Sequence, residues 1–337
     1  MTEAPKNHKE LPVRDDGTRL DVVGIGNALV DVLSHEDESF IESAGLTKGA
    51  MTLVEADQAT GLYETMGPGI EVSGGSAANT IAGVASFGGL AGYLGKVHDD
   101  QLGGVFAHDM RANGVVYDGA AVTTGPPTGR CLIVVTPDAE RTMNTFLGTS
   151  AMFGPDDVDE ELVRSGRITY LEGYLFDRDE AKAAYRKASD IAHDAGRTVA
   201  LTLSDTFCVE RHLDEWRVLV RESVDVLFAN EHELEALYGV QLHEAVEQVR
   251  SEVGISCVTL GAKGSMIVTP DEVVEIPAEP AQVEDTTGAG DLYASGVLFG
   301  LSQGLRLEEC GRLGSIAAAA VIADMGARPG QSLAQLV

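Results

Sequence analysis

The chain is short of aromatic side chains, which make up 5% of its 337 residues, with one Trp among them. It is rich in Gly and Ala, a composition that favours helices packed closely on a sheet over an aromatic-rich β-sandwich. Basic residues are also scarce: 24 Lys and Arg stand against 53 Asp and Glu, a formal net charge of −29. Such a surface repels phosphate backbones and anionic lipid, so neither nucleic acid nor a membrane is an expected partner. An anionic ligand must then be held locally, by backbone amides, a metal or a few Arg. The scarcity of Lys beside so much acid also hints at a salt-adapted host, although acidity alone serves ordinary solubility. Cysteine is limited to Cys131, Cys208, Cys257 and Cys310, far apart and without a CxxC pair. They read as free or buried thiols of a reducing cytosol, and suggest no zinc site or disulfide scaffold. No apolar run approaches 18 residues and the N-terminus lacks a signal-type core, so a cytoplasmic location is expected.

Several catalytic signatures are missing as well. Gly24-x-Gly26 is followed by Leu29 where a dinucleotide fingerprint needs its third glycine, and Gly95-Lys96 is followed by Val97 rather than the Ser or Thr of a P-loop. There is no H-E-x-x-H and no G-x-S-x-G, which speaks against a zincin or an α/β-hydrolase. The eight histidines are scattered among polar residues and read as surface.

At 44% hydrophobic residues the chain can bury a sizeable core. Apolar runs ending in glycine or Asn alternate with helical periodicity beyond residue 155: strands near 168–172, 198–203, 225–229 and 256–260, with helices near 178–195, 210–222, 231–238, 289–303 and 308–324. Regular βα alternation predicts an α/β fold, a mainly parallel sheet with helices on both faces. Before it, 28–72 is more polar and irregular with an edge strand at 51–54, while 115–146 alternates in strand fashion between Gly/Pro turns. About 28–54 and 115–146 are therefore expected to form a small β lid. The expected organisation is a flexible polar leader over 1–20, one domain over 21–330 and a C-terminal tail over 331–337.

The densest chemical signal is Asp285-Thr-Thr-Gly288-Ala289-Gly290-Asp291 ahead of an apolar helix. A glycine turn entering a helix gathers free N–H groups and the positive dipole end at one point, a ready anion site. Asp291 beside those amides could take a proton from a hydroxyl while they bind a phosphoryl group. Equally, Thr286 or Thr287 could cap the helix and Asp291 merely complement its dipole. Asn230-x-x-Glu233 could organise hydrated Mg²⁺, or be a capping box. Thr259-Leu-Gly261-Ala-Lys-Gly264 could lie along a nucleotide or be a hairpin turn. Asn27 and Asp31 after the first strand, and Gly74-Gly75 with Asn79, offer hydroxyl-binding groups or ordinary turn and cap residues. All these turns fall where strands end, the edge at which open α/β sheets bind ligands.

In order and context, these motifs resemble the ribokinase-like (PfkB) carbohydrate and nucleoside kinases over about residues 21–330. The resemblance implies a three-layer α/β/α sandwich with a β lid, Mg·ATP as phosphoryl donor and in-line transfer to a primary hydroxyl. By position it makes Asp291 the base and Gly288, Ala289 and Gly290 the anion hole. Asn230 and Glu233 would act on Mg²⁺ through water, with Thr259, Gly261, Gly264 and Thr287 along the nucleotide. A monovalent cation such as K⁺, bound by many members, would sit on carbonyls near Asp285 and Gly326-Ala327. Within the family the chain is most similar to adenosine kinases. That likeness implies Asn27, Asp31, Gly74, Gly75 and Asn79 at the ribose, Cys131 in the lid strand and Arg141 near the transferred phosphate. Tyr174 would stack on the purine, or else be core. Residues 71–73 and 142–150 depart from the familiar pattern beside the acceptor pocket. A sugar kinase acting on ribose, fructose or a related sugar is thus the alternative to an adenosine kinase, and a non-catalytic nucleotide-binding regulator a second. Relatives occur as monomers and as homodimers through the lid, and both states are open here.

Overall fold

The computed structural model describes residues 11, 13–119, 121–138 and 140–337. In chain order the strands are β1 (Leu20–Ile25), β2 (Leu29–His35), β3 (Met51–Leu53), β4 (Gly69–Gly74), β5 (Ala91–Leu94), β6 (Val115–Val116), β7 (Gly129–Val135), β8 (Arg141–Phe146), β9 (Gly166–Glu172), β10 (Thr198–Thr202), β11 (Val226–Asn230), β12 (Ile255–Thr259), β13 (Ser265–Val268) and β14 (Val273–Ile276). The helices are α1 (Glu38–Ser43), α2 (Ala56–Thr65), α3 (Ser76–Ser86), α4 (Gln101–Ala112), α5 (Glu160–Ser165), α6 (Asp179–Asp194), α7 (Thr206–Arg211), α8 (Leu213–Ser223), α9 (Glu231–Tyr238), α10 (Leu242–Val249), α11 (Ala289–Ser302) and α12 (Leu307–Ile322).

The large sheet runs β14-β13-β12-β11-β10-β9-β1-β5-β6, parallel from β6 to β12 and closed by the antiparallel β13 and β14. Every residue of β1 is buried, as a central parallel strand covered on both faces must be. From Val22 onward its side chains alternate between two cores. Val23 and Ile25 join Tyr185, Trp216, Leu234 and Val246, the side of α6, α8, α9 and α10. Val22 joins Ile81, Phe106 and Val297, the side of α3, α4 and α11. The three-layer α/β/α sandwich expected from the sequence is therefore the fold. On the second side the helices touch at small residues. A Cβ on Gly83 of α3 would lie 2.4 Å from Ser295 Oγ of α11, and one on Gly296 would lie 2.4 Å from the Leu313 backbone of α12.

The second sheet has the order β3-β8-β7-β2-β4 and forms the lid. Two of its strands differ from the sequence reading. The irregular 28–54 expected for the lid supplies β2, and β4 lies beyond it and pairs antiparallel with β2, Leu29 opposite Gly74. Val115–Val116, expected in the lid, instead extends the edge of the large sheet beside β5. The single helix expected over 210–222 breaks at His212 into α7 and α8. Residues 1–10 and 12 of the expected leader lie outside the described residues, and the rest of it is anchored. Thr18 is fully buried, and Arg14 Nη1 lies 2.9 Å from Asp21 Oδ1. The tail at 331–337 is likewise docked: Leu333 is fully buried against Phe87, Leu292 and Val321, and its N–H donates to Ser86 Oγ at 2.9 Å.

Candidate active site

The parallel strands end at one edge of the large sheet, and the lid covers it. Between them lies a cavity of about 600 Å³. Its wall contains Asn27, Asp31, Gly75, Asn79, Cys131, Tyr174, Asn230, Glu233, Thr259, Thr287, Gly288, Ala289, Gly290 and Asp291, so most residues singled out from sequence converge on it.

Asp291 stands in the first turn of α11, whose N-cap is Gly288 in the left-handed conformation (φ 77°). Among the described residues no side chain caps this helix, so Thr286 and Thr287 do not fill the role allowed them by the sequence. The space around Gly290 is open. The amides at this end and the helix dipole thus face the cavity, an arrangement that fits the phosphates of a nucleotide. Ser76 Oγ donates to Asp291 Oδ1 at 2.7 Å, and Asn79 Nδ2 donates to Asp291 Oδ2 at 3.1 Å. Burial pushes the Asp291 carboxyl above its ordinary range, against the pull of these two bonds and of the Arg328 guanidinium. A carboxylate so held has the basicity needed to take a proton from an alcohol in flight.

The loop before Asp291 is tied down by Asp285. Asp285 Oδ1 accepts from Thr287 N at 3.0 Å and Thr287 Oγ1 at 2.7 Å, and Oδ2 accepts from Gly326 N at 2.9 Å. Arg141 of the lid strand β8 reaches this carboxylate at 3.0 Å, both side chains being buried. Arg141 and Asp285 are thus paired with each other and neither lines the cavity.

Gly74 and Gly75 join lid strand β4 to helix α3. Gly75 has φ 98°, and a Cβ there would sit 2.2 Å from the Asn27 carbonyl oxygen, so only glycine fits. A Cβ on Gly74 would strike the Asp31 carboxylate at 2.4 Å. Asp31 itself is pushed up to about 6, chiefly by burial, with Arg328 and Arg141 opposing and Asp291 adding to the rise. Asn27 is spoken for within the protein: its N–H and Nδ2 donate to Glu172 Oε1 at 3.1 and 2.8 Å, and its Oδ1 accepts from Ser150 Oγ at 2.9 Å. Cys131 is buried with its thiol pushed up to about 12, and it accepts from Thr145 Oγ1 at 3.2 Å.

Asn230 and Glu233 form the capping box that was the alternative reading. Glu233 N donates to Asn230 Oδ1 at 2.8 Å, Asn230 N to Glu233 Oε2 at 3.0 Å, and Asn230 Nδ2 to Glu233 Oε1 at 2.6 Å. Both residues nevertheless line the cavity, and burial lifts Glu233 to about 7. Among the described residues no three His, Cys, Asp or Glu converge as a direct metal site. Both carboxylate oxygens of Glu233 already accept from Asn230 within the capping box. Gly261 and Gly264 do not reach the cavity. They shape the turn between β12 and β13, where a Cβ on Gly264 (φ 98°) would meet Ile276 O at 2.1 Å. Tyr174 is half-buried on the cavity wall, its ring centre 6.1 Å from that of Phe207.

Sequence reasoning passed over several residues. Glu172, at the end of β9, is buried and accepts from Asn27 and, through Oε2, from Ala77 N of α3 at 2.8 Å; burial raises it to about 7. An acid closing an apolar strand run was the signal available for it. Ser76 hid inside the di-glycine motif. Phe207 and Arg328 carried no local signal at all.

A mainly parallel α/β sandwich, a β lid and a half-buried Asp at an uncapped glycine turn describe a small-molecule kinase. The chain belongs to the pfkB family of carbohydrate kinases, whose model matches residues 68–333. Members of this family use ATP, generally with Mg²⁺. The structure is similar to the adenosine kinase of Sinorhizobium meliloti at 50% identity, over 94% of this chain and 98% of that one, with a TM-score of 0.87. It is also similar to a probable sugar kinase of Rhizobium etli at 46% identity, over 95% and 98%, with a TM-score of 0.88. Fructokinase-1 of Zea mays is 27% identical over 68% of this chain and 73% of its own length.

Proposed function

We propose that the protein is an ATP-dependent nucleoside kinase that phosphorylates the 5′-hydroxyl of adenosine. The observation that carries this reading is the apolar and aromatic extent of the cavity. Leu29, Leu53, Ile133 and Met143 of the lid, with Tyr174 and Phe207 of the body, continue the wall well beyond the carboxylates and amides that a sugar requires. A purine fills such a surface and stacks on its rings, whereas a free pentose or hexose would leave it wet. The likeness to an adenosine kinase at 50% identity supports the same acceptor.

In the mechanism we infer, Asp31 and the Gly75 and Asn79 region receive the ribose hydroxyls. Asp291 accepts the 5′-hydroxyl proton as that oxygen bonds to the γ-phosphorus. The bond from phosphorus to the β–γ bridging oxygen breaks, and ADP leaves. The amides of Gly288–Gly290 stabilise the negative charge on the moving phosphoryl group. A hydrated Mg²⁺ held near Asn230 and Glu233 would supply charge neutralisation at the donor phosphates. Arg141 would leave Asp285 to meet the phosphate only if the lid shifts, because the pair holds it outside the cavity in this conformation.

Sugar phosphorylation is the second reading, favoured by the three carboxylates Asp31, Glu172 and Asp291 around one end of the cavity and by the fructokinase likeness. An acceptor panel of adenosine, other nucleosides, ribose and fructose, followed by direct chromatography of ADP and product, separates the two. Adenosine should give the highest kcat/KM by at least about tenfold, roughly one good differential contact. Fructose or ribose exceeding every nucleoside would overturn the proposal.

A further inference from the structure

We propose that Arg328 is a positioning residue for phosphotransfer: it locks the side-chain amide of Asn79 with Nδ2 toward Asp291 and sets its positive charge behind that base. The proposal rests on the reading of Asp291 as the base.

Arg328 lies beyond α12, next to Ala327, which forms part of the cavity wall; Arg328 itself stays behind that wall with 17% of its side chain exposed. Its Nε donates to Asn79 Oδ1 at 3.3 Å, and its Nη2 to Met110 Sδ at 3.7 Å. Nη1 stands 3.9 Å from Asp109 Oδ2. Asp109 is itself fixed, because its Oδ2 accepts from Ser73 N at 2.9 Å and Ser73 Oγ at 2.8 Å. The guanidinium is therefore braced from α4 and aimed at α3.

An asparagine amide is nearly symmetrical in shape but not in chemistry. Turned over, Asn79 would set its oxygen against Asp291 Oδ2 across 3.1 Å, two acceptors facing each other. Arginine carries donors only, so contact with Arg328 admits the oxygen and refuses the amino group. One bond thereby decides the other. The relay runs Arg328 Nε to Asn79 Oδ1, then Asn79 Nδ2 to Asp291 Oδ2.

The charge has a separate effect. The groups facing Asp291 are Ser76 and Asn79 from α3, Asp31 from β2, Tyr170 and Glu172 from β9, and Tyr174 from the turn after it. Asp31 and Glu172 oppose a negative charge on Asp291, as does burial, while Arg328 favours it. Removing that cation should make the base harder to ionise and move the acid side of the rate profile to higher pH.

The test compares wild type, Arg328→Met and Arg328→Lys, using whichever acceptor the wild type turns over best. The pH dependence of kcat and of kcat/KM is followed by direct product chromatography. Arg328→Met should lose roughly tenfold more kcat at about pH 6 than at about pH 8.5, while Arg328→Lys keeps the acid limb near its wild-type position. The KM for ATP should stay within about twofold, because Arg328 is outside the cavity wall. A loss of equal size at both pH values, or a wild-type profile in Arg328→Met, would overturn the proposal. Should Arg328→Met not fold, as judged by circular dichroism, Arg328→Gln carries the same comparison, being neutral yet able to donate to Asn79. Wild-type protein that phosphorylates nothing would instead reject the kinase reading itself.

Discussion

Replacing Asp31 by Asn should stabilise the free protein at neutral pH while impairing catalysis. The folded protein raises the Asp31 carboxyl from 3.8 to about 6. A folded-state value above the unfolded one means that the native state holds the proton more tightly. The corresponding stabilisation is fully present below about pH 4 and is lost as pH rises through about 6. At pH 7.5 the ionised carboxylate then costs about 3 kcal/mol, from about 2 units at about 1.4 kcal/mol each. Asn has nearly the same shape and no charge to desolvate, so Asp31→Asn should recover much of that cost. An unfolding entropy of about 2.1 cal/mol/K per residue over the whole chain makes this a rise of about 4 °C in Tm. The same variant should show almost no shift near pH 4, where the native carboxyl is already protonated. Thermal melts of both proteins without ligand, from about pH 4 to about pH 8, provide the measurement. Loss of a charged partner for an acceptor hydroxyl should meanwhile lower kcat/KM by roughly 10–100-fold. A variant less stable than wild type at pH 7.5, or one stabilised equally at both ends of the range, would refute the reasoning.

Two further outcomes follow from the same geometry. Asp291→Asn should keep ATP affinity near wild type by calorimetry and lower kcat by roughly 10²–10⁴-fold, the cost of a missing general base; near-normal turnover would remove Asp291 from the mechanism. Gly75→Ala should destabilise the protein by about 2 kcal/mol or more in urea titration and depress kcat/KM, since the new Cβ must displace the Asn27 carbonyl.

The parallel sheet was legible because fully buried strands announce themselves as short apolar runs ending in Gly or Asn, as Asp21–Gly26 and Val226–Asn230 do. The lid was only half legible. Leu29–His35 is interrupted by Asp31 and Ser34, and Gly69–Gly74 begins and ends in glycine. Their strand character comes from pairing with each other and, for β2, with β7, which no local pattern encodes. Val115–Val116 did read as a strand, but which sheet receives a strand is a tertiary decision. At the site, glycine turns were visible because their conformational demands are local. Glu172 and Arg328 were not, because their meaning lies in burial and in partners far along the chain: Ala77 lies 95 residues from Glu172, and Asn79 lies 249 from Arg328.

The glycine contacts between α3, α11 and α12 have a consequence for how this enzyme can change. Where helices meet with no room for even a methyl group, as at Gly83 and Gly296, substitution tests the fold before it tests the chemistry. The lid face is built differently. Met51 and Leu53 are partly exposed and, with Ile133 and Met143, shape the cavity by side-chain bulk alone on a thin five-stranded sheet. New acceptor specificities should therefore be reached through the lid, with the helical layer kept constant. A library confined to those four positions would explore substrate range at little risk to the machinery beneath.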